Sequence, residues 1–127
     1  YANRYDYLRI AKTMMDDWHN DTCAGKYLKT IYENRIKKKD NTKEADDVGL
    51  YTTSYGGQFH FDYPGLKNRT VFGLGGRGGN AILIDVENSR IVVINSIHYN
   101  DSKYKYNVKK LLIDPIKNGK QVNWKLN

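Results

Sequence analysis

Cysteine occurs once in the 127 residues, at Cys23, which excludes an internal disulfide and any metal site built from several thiolates. A lone thiol of this kind reads as a small, partly buried side chain rather than a nucleophile. No run of about 18 apolar residues exists, so no segment is expected to span a membrane and no membrane partner is expected. An initiator Met and a charged-then-apolar leader are also lacking. Residue 1 is Tyr, and the expectation is a chain trimmed, processed or cut from something longer. His19, His60 and His98 show neither a His-x-x-x-His spacing nor an accompanying carboxylate pair, so they read as surface or core residues and not as metal ligands.

What is present has the length of one domain, residues 1–127, and 39% hydrophobic content allows a modest single core. Basic residues outnumber acidic ones by 21 to 14, a formal net charge of +7, which favours acidic partners such as nucleic acid, anionic lipid or a polyanionic cell wall. Their distribution weakens that inference. They concentrate in Arg35-Ile36-Lys37-Lys38-Lys39 and between Lys103 and Lys120, beside expected helices, where charge runs mark a solvated face. Nucleic acid is therefore not the expected partner.

Asn3 with Asp6 three residues later resembles a helix cap, and Tyr5, Leu8, Ala11, Met15 and Trp18 recur at helical spacing, predicting a helix over 4–18. Ala24, Leu28, Ile31, Tyr32 and Ile36 predict a second, ending in the lysine run, and 40–49 reads as a polar loop. From Tyr51 the period becomes two. Phe59, Phe61 and Tyr63 alternate with polar residues until Pro64-Gly65, predicting a half-buried strand over 55–63. Its aromatic face reads as core, with a base-stacking platform as the alternative. Further strands are predicted at about 77–86 and 90–98 around the turn at Glu87-Asn88-Ser89, and Ser102 caps a last helix stopped near Pro115. The expected class is α+β, helices packed on an antiparallel sheet.

The stretch "GLGGRGG", residues 73–79, places five glycines in seven positions around Arg77. It satisfies G-x-G-x-x-G literally, but the dinucleotide fingerprint needs a helix afterwards. The next segment, Asn80 to Val86, is instead a β-branched run that reads as a strand, and no cofactor is expected.

"YGGQFHFDY" followed by "VFGLGGRGGNAILIDVENSRIVVINSIHYN" and an amphipathic helix resembles the C-terminal part of serine β-lactamases and penicillin-binding-protein-like hydrolases, the class C and esterase-like branch. The opening "YANRYDYLRIAKTMMDDW" is similar to the family's helix after its second motif. The resemblance implies a bacterial hydrolase, periplasmic or secreted, acting on a small-molecule or peptide acyl substrate (β-lactam, peptide or ester). It puts Arg77-Gly78-Gly79 at the position of the Lys/His-Thr/Gly-Gly triplet, on a strand edging the active site. The backbone N–H of Asn80, with Gly79 next, would donate to an oxyanion. Arg77 and Gly78 would meet the substrate, Arg77 orienting a carboxylate bidentately.

Two departures accompany the resemblance. Arg replaces the usual Lys or His, and a guanidinium that stays protonated does not transfer protons. The family's Ser-x-x-Lys nucleophile motif, which belongs upstream, has only the literal match Ser102-Lys103-Tyr104-Lys105, after the triplet, where Ser102 is better read as a cap. Tyr1-Ala2-Asn3 and Tyr32-Glu33-Asn34 match Tyr-x-Asn, as chance allows among 11 tyrosines. The expectation is a fragment of a longer hydrolase domain, inactive alone, that self-associates or pairs with a missing N-terminal half. The alternative is a non-catalytic basic module that binds anionic ligands.

Overall fold

The computed structural model of the chain describes residues 2–38, 52–66, 68–76, 80–95 and 109–119. Helix α1 (Arg4–His19) opens on a full capping box: Asn3 Oδ1 accepts from the Tyr5 and Asp6 amides at 2.9 and 3.1 Å, and Asp6 Oδ2 accepts from the Asn3 amide at 2.9 Å. Helix α2 (Cys23–Glu33) starts at Thr22, whose Oγ1 accepts from the Gly25 amide at 3.1 Å. The two form a hairpin in which a Cβ at Gly25 would overlap the Asp17 carbonyl, so glycine sets how closely the helices approach.

Strands β1 (Ile36–Lys37), β2 (Ser54–Gly56), β3 (Phe59–Phe61), β4 (Val71–Gly76), β5 (Asn80–Asp85) and β6 (Arg90–Ile94) make one antiparallel sheet in chain order. A π-helical turn, Lys109–Ile113, then leads into α3 (Asp114–Asn118). The architecture is α+β, with helices on both faces of the sheet. On one face Ala11, Met15 and Leu28 meet Phe61, Phe72, Ile82 and Ile84; on the other Leu112, Ile113 and Ile116 meet Tyr63, Val71, Ala81 and Leu83. Consecutive β5 residues thus serve opposite cores, which is why that strand has no polar alternation. Burial of each large aliphatic side chain there contributes about 1.5–3 kcal/mol. Among the described residues no helix is long and apolar enough to cross a membrane.

Several sequence expectations are corrected. The strand expected over 55–63 is a hairpin, because Gly57 (φ +52°) and Gln58 (φ +68°) turn the chain between β2 and β3. Phe59 and Phe61 pack under α1 and α2, whereas Asp62 (φ +57°) redirects the chain so that Tyr63 enters the opposite core. The aromatics are core on two faces and form no single platform. The second helix ends at Glu33; Ile36 and Lys37 instead pair with β2 as an edge strand. Among the described residues six strands replace the expected three, the glycine run itself supplying most of β4; of the strand expected over 77–86, Asn80–Asp85 form β5, and Arg77 to Gly79 lie outside the described residues. β5 and β6 are antiparallel, as expected. Pro115 lies in the first turn of α3, directly after the π-helical turn Lys109–Ile113, and does not stop the helix. Cys23 is exposed, not partly buried.

Candidate functional site

β4 and β5 pair from Val71↔Asp85 to Gly76↔Asn80, so the glycine run is strand up to Gly76 and the chain reverses between Gly76 and Asn80. Of the residues implied by resemblance, Asn80 is the half-buried first residue of β5. Arg77, Gly78 and Gly79 lie outside the described residues, as do His98 and Ser102. Beside Asn80 a groove of about 310 Å³ runs between α1 and the sheet, lined by Tyr7 and Ile10 from the helix and by Leu74, Gly75, Gly76 and Ala81 from the strands. Its walls are largely apolar. It leaves an exposed strand end next to an open, apolar cleft.

The glycines of the run do different work. At Gly73 a Cβ would overlap Tyr63 Oη and stand 3.1 Å from the Ile82 carbonyl, so the bare backbone there is covered by a side chain of the same protein. At Gly76 the nearest atom to such a Cβ would be Asn80 Cβ, at 3.9 Å, an ordinary contact. Of these two glycines, the one with open space beside its backbone is Gly76, at the end of β4 that borders the groove.

The literal Tyr-x-Asn matches are absorbed by helix ends: Asn3 caps α1, and Asn34 Nδ2 donates to the Thr30 carbonyl at 2.8 Å behind α2. His19 Nε2 donates to the Val86 carbonyl at 2.5 Å, tying α1 to the end of β5. At the β1 edge Lys38 Nζ donates to Oγ1 of fully buried Thr52 at 2.5 Å and lies 3.4 Å from His60 Nδ1, a cross-link the sequence does not announce. Among the described residues no group of three His, Cys, Asp or Glu side chains could hold a metal ion.

A cluster that sequence reasoning missed lies at the other end of the sheet. Arg35 Nε donates to Asp62 Oδ2 at 2.8 Å, Nη1 donates to the Tyr32 carbonyl at 2.7 Å, and the guanidinium lies 4.0 Å from the Tyr32 ring centre. Burial alone would push the Asp62 carboxyl up, but hydrogen bonds from Arg35 and Ser54 and the charges of Arg35 and Lys37 outweigh it and hold the group below the usual carboxylate range. Arg35 is raised in turn, chiefly by its hydrogen bond to Asp62. The signal available beforehand was an acidic residue between two aromatics, which reads equally well as a polar strand position.

No protein-family model, curated protein or solved structure matches the chain.

Proposed function

We propose that this chain supplies the substrate-facing strand of a serine-dependent acyl hydrolase or transferase of the β-lactamase and penicillin-binding-protein type, the nucleophile coming from outside these 127 residues. The observation that carries the reading is the open groove at the junction of Gly75, Gly76 and Asn80. There a backbone N–H following the glycine triplet would face an acyl oxyanion, and each such donor is worth about 3–4 kcal/mol to a tetrahedral intermediate. Arg77, by resemblance, orients a carboxylate on the substrate. Ser102, by the same reading, is no nucleophile.

Amide chemical shifts test this directly. A slowly hydrolysed short-chain acyl ester or a β-lactam titrated into the chain should perturb the amides of Gly75, Gly76, Asn80 and Ala81 without turnover, and a serine-directed phosphonate should leave the mass unchanged. Stoichiometric labelling at Ser102 would place the nucleophile within the chain. Undisturbed amides from 75 to 81 would remove the groove as the acyl site.

A further inference from the structure

The β4–β5 ladder carries the glycine groove at one end; about 17 Å away, five strand residues along β4, a larger cavity of about 700 Å³ opens at the other. Arg35, Asp62, Asn68, Arg69, Thr70 and Glu87 contribute to its wall. Arg35 and Asp62 are engaged with each other. Arg69 and Glu87 are not so engaged.

Arg69 Nη1 reaches Asp85 Oδ2 and the Ile116 carbonyl, both only at 3.5 Å, the outer limit of a hydrogen bond. Both acceptors have closer donors, although Arg69 is the one cation among the described residues within ion-pair distance of the buried Asp85 carboxylate. Asp85 accepts from the Asn88 amide at 3.1 Å and from Asn88 Nδ2 at 2.9 Å, and Arg90 Nη1 already donates to the Ile116 and Lys117 carbonyls at 2.9 and 2.7 Å. The other N–H groups of this five-donor side chain make no hydrogen bond among the described residues, and the side chain is 25% exposed. Glu87 presents the complementary case. Its Oε1 accepts from the Thr70 amide at 3.0 Å and from Thr70 Oγ1 at 2.6 Å, both neutral donors. No cation among the described residues lies within ion-pair distance of it.

One loosely held cation and one carboxylate without a counter-charge therefore share a wall, since Arg69 precedes Thr70 in the chain and Glu87 is fastened to Thr70. We propose that this cavity binds a small zwitterion of the amino-acid or dipeptide class, its carboxylate on the Arg69 guanidinium and its ammonium on Glu87 Oε2. The volume falls in the range of small-molecule pockets, and a planar guanidinium with two adjacent free donors matches a carboxylate. The site stands apart from the acyl groove and does not rest on the acyl-transfer reading.

Glycylglycine is the probe, with amide chemical shifts in the intact chain as the readout. Saturable shifts are expected at Asn68, Arg69 and Thr70, with Gly75 to Ala81 unmoved. N-acetylglycine, which lacks the ammonium, and glycinamide, which lacks the carboxylate, should each bind about ten-fold more weakly or worse. Glu87→Gln keeps an acceptor for Thr70 and removes only charge; it should weaken glycylglycine about ten-fold while leaving N-acetylglycine unchanged. Arg69→Lys, checked for fold by circular dichroism, should weaken glycylglycine and N-acetylglycine alike. Absence of saturable shifts with glycylglycine, or equal binding of glycylglycine and N-acetylglycine, overturns the assignment.

Discussion

At position 73 a methyl group would collide with Tyr63 Oη and press to 3.0 Å on Tyr63 Cζ, while on the same strand at 76 it would find ordinary room. Two glycines three residues apart, identical in sequence terms, are thus held by different constraints. Tyr63 is 3% exposed and belongs to the core that faces α3, so its ring has nowhere to withdraw without opening that core. Gly73→Ala is expected to destabilise the fold by about 1–3 kcal/mol, the usual cost of overpacking, and Gly76→Ala by under about 1 kcal/mol. Urea unfolding midpoints separate the two. Adding Tyr63→Phe to Gly73→Ala removes the hydroxyl at the point of collision, and the double variant should recover part of the loss; strictly additive destabilisation would show that Tyr63 is not the obstacle.

Arg35 leaves the end of α2 and Asp62 leaves the end of β3, so their 2.8 Å contact couples a helix to the sheet across 27 positions of chain. Because the folded Asp62 carboxyl sits below its ordinary value near 3.9, the pair stabilises the fold fully above that pH and loses its effect as pH falls through the lowered folded value. Both side chains are partly solvated, and screening limits the contribution to about 1 kcal/mol or less. The stability gap between the wild-type chain and Asp62→Asn should therefore be present at pH 7 and close on acidification below the ordinary carboxylate range. A gap that persists there would mean that the cost is steric. Legibility in the sequence divides in the same way between local and distant causes. α1 was legible because its cap, acidic third residue and apolar spacing lie within the segment itself, and the β5–β6 hairpin because an apolar strand, a turn and a second apolar strand come in order. β4 was not, because five of its six residues are glycine or precede a glycine in a pattern of weak strand propensity, and pairing on both sides overrides it. β1 carries a helical pattern for a related reason: the lysine run has no strand signature, and only the arrival of β2 makes it an edge. Within the candidate site, Asn80 was legible through the motif and the groove was not, since Tyr7 and Ile10 come from a helix some seventy residues earlier.

Across the whole molecule the two cores use the inner faces of the helices and leave apolar side chains outside. Tyr5, Leu8 and Ile10 on α1 are 60%, 42% and 50% exposed, and Ile36 on the two-residue edge strand β1 is 74% exposed. Single exposed apolar residues mean little, but Leu8 and Ile10 flank the buried face of α1 on its two sides, and Ile10 also lines the apolar groove, so apolar surface extends outward from the seam between α1 and the sheet. A stable pairing covers roughly 800 Å² on each partner, more than α1 alone presents, so the groove and the adjoining strand ends would have to be covered as well. The expected behaviour is reversible self-association, with sedimentation velocity showing a dimer that grows in proportion over about a hundred-fold rise in concentration. Replacing Leu8 and Ile10 by Lys removes apolar area without touching either core and should return the chain to monomer with its thermal midpoint nearly unchanged. A wild-type chain that sediments as monomer throughout that range would show that this face needs no cover. An unaffected dimer in the Lys variant would move the interface away from α1, towards the β1 edge where Ile36 stands.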